Sequence, residues 1–138
     1  NTHLGSNFII GGQISGQEPA LLMVYPVGNY IHTSEIKPFF QLGETKYGKP
    51  ILDRLIRKET SLGDAARCAL VSFDSTMKSD LTVGPPIDLI VYKKDSIQIS
   101  LEEHLQFKTP FFSDLSSKWS EGLRNLFKEL PKFDWEKD

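Results

Sequence analysis

The sequence predicts an α+β fold, and three observations carry the prediction. Apolar runs broken by turn residues come first, between Phe8 and Thr33. Two stretches with helical spacing follow one another between Pro50 and Met77. A second pair of apolar runs, at 87–92 and 97–101, then leads into a last amphipathic stretch. Strands joined by tight turns, with helices grouped together, indicate segregated elements and not alternating β-α-β units.

Phe8-Ile9-Ile10-Gly11-Gly12-Gln13-Ile14 is a continuous apolar run with two glycines. It reads as a buried strand that something approaches closely. The turn residues Ser15 to Pro19 separate it from a second strand, Ala20 to Tyr25. Pro26-Val27-Gly28-Asn29 leads to a third, Tyr30 to Thr33. The simplest arrangement is an antiparallel meander. Phe39 to Leu42 is expected to add a short strand or entry segment. From Pro50 the period changes: Ile51, Leu52, Leu55 and Ile56 share one helical face, with Pro50 suited to the first turn. Thr60 or Ser61 caps a second helix, with Asp64 placed as in a capping box. The expected apolar stripe of that helix is Leu62, Ala66, Ala69, Phe73 and Met77, and Gly84-Pro85-Pro86 stops it. Ile87 to Tyr92 is a strong strand signal, turned by Lys93 to Ser96 into Ile97 to Leu101, which alternates as a half-exposed strand does. A final helix is expected from about Ser113 to Leu130, with Leu115, Trp119, Leu123, Leu126, Phe127 and Leu130 as its stripe.

Length and composition limit the function. The 138 residues suit a single domain spanning 1–138. A formal net charge of −2 provides no basic field for nucleic acid or anionic lipid, so neither is an expected partner. The single cysteine, Cys68, excludes an internal disulfide framework and fits a reducing compartment, so the expected location is cytoplasmic. No apolar run approaches a membrane span. Asn1 is not an initiator, and the first seven residues lead straight into an apolar run, so an upstream segment is expected.

Gly43-Glu44-Thr45-Lys46-Tyr47-Gly48-Lys49 matches a phosphate-loop pattern and defines one alternative, a nucleotide-binding module. Pro50 then stands where a magnesium-ligating hydroxyl is needed and removes a helix N–H, so a glycine-punctuated turn is favoured. His3, His32 and His104 are scattered without ligand spacing, and no metal or other cofactor is expected. Glu102-Glu103-His104 reads as a solvated turn, and Cys68 as a buried inert thiol. Asp88 opens an otherwise apolar strand, where a carboxylate must be paired or solvated. Asp80 follows a helix and precedes the Gly84-Pro85-Pro86 turn, a place usual for a cap or turn acid.

The stretch from Gln41 to Arg54, Gln-Leu-Gly-Glu-Thr-Lys-Tyr-Gly-Lys-Pro-Ile-Leu-Asp-Arg, closely resembles the Anbu family. Cys68 to Met77, Gly84 to Leu89, Phe8 to Ile14 and Trp119 to Arg124 resemble it too. That family is a bacterial relative of the proteasome β subunit and HslV. The resemblance implies part of a four-layer αββα sandwich of the N-terminal nucleophile hydrolases, here its C-terminal part. It implies peptide-bond hydrolysis by an N-terminal threonine whose amine is the base, with peptide or unfolded protein as substrate and assembly of identical subunits. The nucleophile, and the aspartate and lysine that tune it, are expected to lie in an earlier segment, and Thr2 is not its match. The chain alone is expected to be inactive. Relatives place a Gly-Ser-Gly turn before the central helix, and its serine helps to position the threonine amine. The matching turn is Gly43-Glu44-Thr45, with Glu44 in place of the serine. Relatives also place an Asp-x-x-Ser pair before the late strand. Asp80 matches the aspartate, and Val83 replaces the serine. The resemblance thus makes Asp80 a supporting, orienting residue and Glu44 an altered contact to the amine. A noncatalytic proteasome-like assembly subunit is the other alternative.

Overall fold

The computed structural model describes residues 5–136. Thr2 and His3 lie outside the described residues. The chain is mixed α+β. Strands β1 (Phe8–Gly12), β2 (Ala20–Val24) and β3 (Tyr30–His32) form an antiparallel meander with Ile10 opposite Leu22 and Met23 opposite Ile31. Helices α1 (Lys49–Leu55) and α2 (Leu62–Met77) come next. Strands β4 (Ile87–Tyr92) and β5 (Ile99–Leu105) pair as a separate antiparallel hairpin, and α3 (Pro110–Lys128) and a short 3-10 turn at Asp134–Glu136 follow.

Four expectations need correction. Strand β1 is exposed at every residue, because no described element covers it; its close approach is real but local, since a Cβ at Gly11 would meet Leu21 at 3.2 Å. It ends at Gly12, where Gln13 turns its side chain to the other sheet. The segment Phe39 to Leu42 is irregular and, among the described residues, pairs with no strand; Phe39 packs instead against the cluster of Leu52, Ile56 and Cys68. The return strand begins at Ile99, since Asp95 (φ 66°) and Ile97 (φ 49°) adopt left-handed backbone and extend the turn, with the Ser96 hydroxyl bonded to the carbonyls of Lys93 and Gln98. Glu102, Glu103 and His104 therefore lie within β5, not in a turn. Helix α3 starts three residues early because Thr109 ends the extended chain and Pro110 suits the first turn.

The stripe expected for α2 is partly out of phase. Phe73 is 45% exposed and Leu62 48% exposed, whereas Cys68, Leu70, Val71, Ser72, Asp74 and Thr76 are buried. The reason is that α2 is contacted from two sides. Leu70 meets Ile87, Leu105 and Phe112 in one core, while Cys68 meets Leu52 and Ile56 in another. Of the stripe expected for the last helix only Leu115 and Trp119 are half-buried, and Leu123, Leu126, Phe127 and Leu130 remain exposed. The buried anchor of that helix is Phe112, 2% exposed. Among the described residues no helix is long and apolar enough to cross a membrane.

Two polar features fasten these parts. Between α2 and α3 the buried Asp74 carboxylate accepts from the Ser116 hydroxyl at 2.5 Å and the Lys78 ammonium at 2.7 Å. Lys78 also donates to Ser120 at 2.7 Å. Between the two sheets, the Gln13 amide acts as a clasp. Its oxygen accepts from the Tyr92 hydroxyl at 2.7 Å and the Asp95 N–H at 2.8 Å, and its nitrogen donates to the Asp95 carboxylate at 2.7 Å.

Candidate functional site

The turn that leads into α1 is built by Gly43 and Gly48. Gly43 has φ +81°, a left-handed conformation that costs glycine nothing. Gly48 is buried against α2: a Cβ there would lie 2.9 Å from both the Ser72 carbonyl oxygen and the Thr76 hydroxyl oxygen. Only a residue without a side chain lets the turn settle so closely on the helix. Between the glycines, the Glu44 carboxylate folds back to accept the Lys46 backbone N–H at 2.8 Å.

Glu44 is half-buried and lines a cavity of about 340 Å³ with Gln41, Leu42, Ser72, Phe73 and Val83. Val83 belongs to the turn that follows α2, and its N–H reaches the Asp80 carbonyl at 3.3 Å. The turn with the expected Glu44 and the turn with the expected Asp80 thus border one cavity. The Asp80 carboxylate accepts from the Thr82 hydroxyl at 2.7 Å and the Thr82 N–H at 2.8 Å. These bonds, the hydroxyl first and then the N–H, with the Lys46 charge as a smaller contribution, hold the Asp80 carboxyl below its ordinary pKa. With Val83 carrying no hydroxyl, Asp80 is satisfied by Thr82, one residue earlier.

The phosphate-loop resemblance gains no support from this geometry. The Lys46 N–H is used by Glu44, the Lys49 N–H by the Thr45 carbonyl at 3.1 Å, and the Lys49 ammonium by Asp53 at 2.6 Å. Among the described residues no group of three or more His, Cys, Asp or Glu side chains could hold a metal ion. Asp88 is paired across the hairpin with His104 at 2.6 Å, and both are solvated, as its place on the strand required. Cys68 is buried, its thiol pKa raised by that burial, at the edge of a larger cavity of about 800 Å³ between the helices. That cavity includes neither Glu44 nor Asp80.

Sequence reasoning missed Lys46, which it treated only as part of a phosphate-loop pattern, and the Ser72–Thr76 seat under Gly48. Small polar residues four apart on α2, facing a glycine turn, were the available signal for the seat. Nothing local marked Lys46, whose relation to Asp80 depends on two turns meeting across the end of α2.

No family model matches the chain, and no curated protein matches it. Solved structures do. Anbu from Hyphomicrobium sp. strain MC1 is 48% identical with a TM-score of 0.89, the match covering 93% of this chain and 55% of that one. Anbu from Yersinia bercovieri, described as an ancestral β-subunit, is 41% identical with a TM-score of 0.89 and coverages of 93% and 54%. Anbu from Pseudomonas aeruginosa, solved as a helical assembly, is 44% identical with a TM-score of 0.89 and coverages of 100% and 57%. The antiparallel meander, helix pair, hairpin and C-terminal helix are therefore those of a proteasome-like α+β subunit. The chain belongs to the Anbu family. It spans just over half the length of the Anbu structures that it matches.

Proposed function

We propose that this chain is the C-terminal part of a proteasome-type threonine peptidase subunit. The nucleophile is supplied from outside these residues, the reaction is hydrolysis of peptide bonds in peptides or unfolded protein, and identical subunits assemble together. The observation that carries the reading is the meeting of the Glu44 turn and the Asp80 turn around one cavity. The turns that carry these residues, some 36 positions apart in sequence, border that cavity through Glu44 on one side and Val83 on the other. The helical assembly of the Pseudomonas aeruginosa relative supports self-association of identical subunits.

In this reading the threonine amine acts as a base on its own hydroxyl, and the chain described here provides its surroundings. Glu44, fixed by the Lys46 N–H, offers a carboxylate that holds an ammonium in place. The same carboxylate raises the pKa of that amine, so turnover is favoured at alkaline pH. Asp80 stiffens the second turn through Thr82.

Glu44 and Val83, in place of two expected serines, favour a second reading, an assembly subunit without peptidase activity. The test combines intact mass, N-terminal sequence and labelling by a threonine-directed electrophile on the intact protein. A threonine first residue that becomes labelled supports the peptidase. Assembly without labelling at any pH supports the second reading and removes the first.

A further inference from the structure

We propose that the stacked Phe133–Trp135 pair that follows α3 docks into the groove at the other end of that helix on a second copy of this chain. This deepens the self-assembly part of the proposed function and rests on it.

The groove is the cavity of about 800 Å³ between the end of α1 with the loop that follows it, the first half of α2 and the first half of α3. Its apolar lining includes Leu55, Ile56, Val71, Phe111, Leu115 and Trp119. Leu55 and Phe111 are each more than half exposed, so this lining is open to an incoming group and not sealed as a core. Most charges along it are closed within one helix, Asp64 on Arg67 and Asp114 on Lys118. Glu59 differs. It is exposed and forms no ion pair among the described residues, and its neighbour Lys58 is closed on Glu35 at 2.5 Å.

The matching projection lies past the far end of α3. Phe133 and Trp135 stack with ring centroids 5.8 Å apart and planes within 12° of parallel. The single 3-10 turn holds them in place, with the Glu136 N–H bonded to the Phe133 carbonyl at 3.0 Å. The two rings are nevertheless 68% and 75% exposed, so the chain does not fill its own groove. Phe127 and Leu130 near the end of α3 are exposed as well. Aromatic side chains bury about 150–250 Å² each. This end of the molecule therefore offers a large part of the roughly 800 Å² that one side of a specific interface uses. Directly before the stack stands Lys132, exposed and without an ion pair among the described residues. An apolar groove with an unpaired anion at its edge thus meets its complement, an apolar projection with an unpaired cation beside it.

A second copy is the occupant because both halves of the contact belong to one chain and lie toward opposite ends of one helix. The two patches differ, so a copy that gives up its stack still has a groove to fill, and the contact can pass from copy to copy.

The experiment uses the intact subunit and follows association by sedimentation velocity over a range of concentrations. The urea midpoint of the dissociated subunit is the control for folding. Trp135→Ala is expected to raise the concentration of half-association at least about tenfold and to leave that midpoint unchanged. Lys132→Glu and Glu59→Lys are each expected to weaken association by about threefold at low ionic strength, and the two together to regain the parent value. Association unchanged in Trp135→Ala overturns the proposal and leaves self-assembly through other surfaces standing. So does a lowered midpoint in that variant, which would place the stack against its own subunit. A double charge variant that regains nothing also overturns the pairing of this groove with this tail. A parent that stays monomeric at every concentration overturns the self-assembly reading and this proposal with it.

Discussion

Gly48 is the residue on which the site depends most directly. Its missing side chain lets the turn rest on Ser72 and Thr76 of α2, and part of what a Cβ would meet is backbone that cannot swing away. Gly48→Ala is expected to lower stability by about 1–3 kcal/mol, read as the urea midpoint of unfolding. Adding Ser72→Ala should recover only a part, since the Ser72 carbonyl stays in place. Asp80 makes a prediction in pH. Its folded pKa is depressed, so its contribution to stability is complete above the ordinary carboxylate range and is lost as pH falls through the depressed value. Thr82→Val removes the largest cause of that depression, and acid unfolding followed by circular dichroism should begin at a higher pH than in the parent. Single residues were legible in sequence where a local rule applied. Asp88 on an apolar strand required a partner or water and has both; Cys68 on an alanine-rich helix face was expected to be buried, and is. Asp74 was not legible, because its burial depends on Ser116, 42 residues away on another helix.

Among elements, α2 shows how caps and packing share the work. The Ser61 hydroxyl accepts the Asp64 N–H at 3.1 Å and donates to the Asp64 carboxylate at 2.7 Å, while Asp64 also pairs with Arg67. Ser61→Ala is expected to cost about 1 kcal/mol, measured by thermal or urea unfolding. At the other end, the Asp74 carboxylate fixes α3 on α2 through Ser116 and Lys78. Asp74→Ala is expected to cost about 2 kcal/mol, and a double-mutant cycle with Ser116→Ala should show positive coupling, because the two removals share one hydrogen bond. Element type was readable throughout the regular segments, from helical spacing in α1 and α2, alternation in the hairpin, and turn residues between the strands. Boundaries shifted where backbone conformation defied residue type. Nothing in Ile97, a β-branched residue, announces a positive φ, so the return strand was placed too early. The α2 stripe was misjudged for a different reason: a periodicity rule assumes one buried face, and this helix has cores on two sides.

At the scale of the whole molecule, large apolar side chains stand exposed on both sheets: Phe8, Ile10 and Tyr30 on the meander, and Ile90, Ile99 and Leu101 on the hairpin. Such surface, together with the open edges of two small sheets, promotes association. The 138-residue chain expressed alone is expected to aggregate, and Ile10→Lys with Ile90→Lys to raise its soluble yield, checked by size-exclusion chromatography. In the intact subunit the same pair should instead destabilise the fold. An unchanged urea midpoint there would mean that these faces remain bare. Between the sheets, the Gln13 clasp works because its two ends are chemically different, an acceptor toward Tyr92 and the Asp95 N–H and a donor toward the Asp95 carboxylate. Deamidation erases that difference. The resulting glutamate would set a second anion against Asp95 where a donor had been, at a change of one mass unit. The seam between the two sheets is therefore a place where slow chemical ageing of a single side chain would turn an attraction into a repulsion.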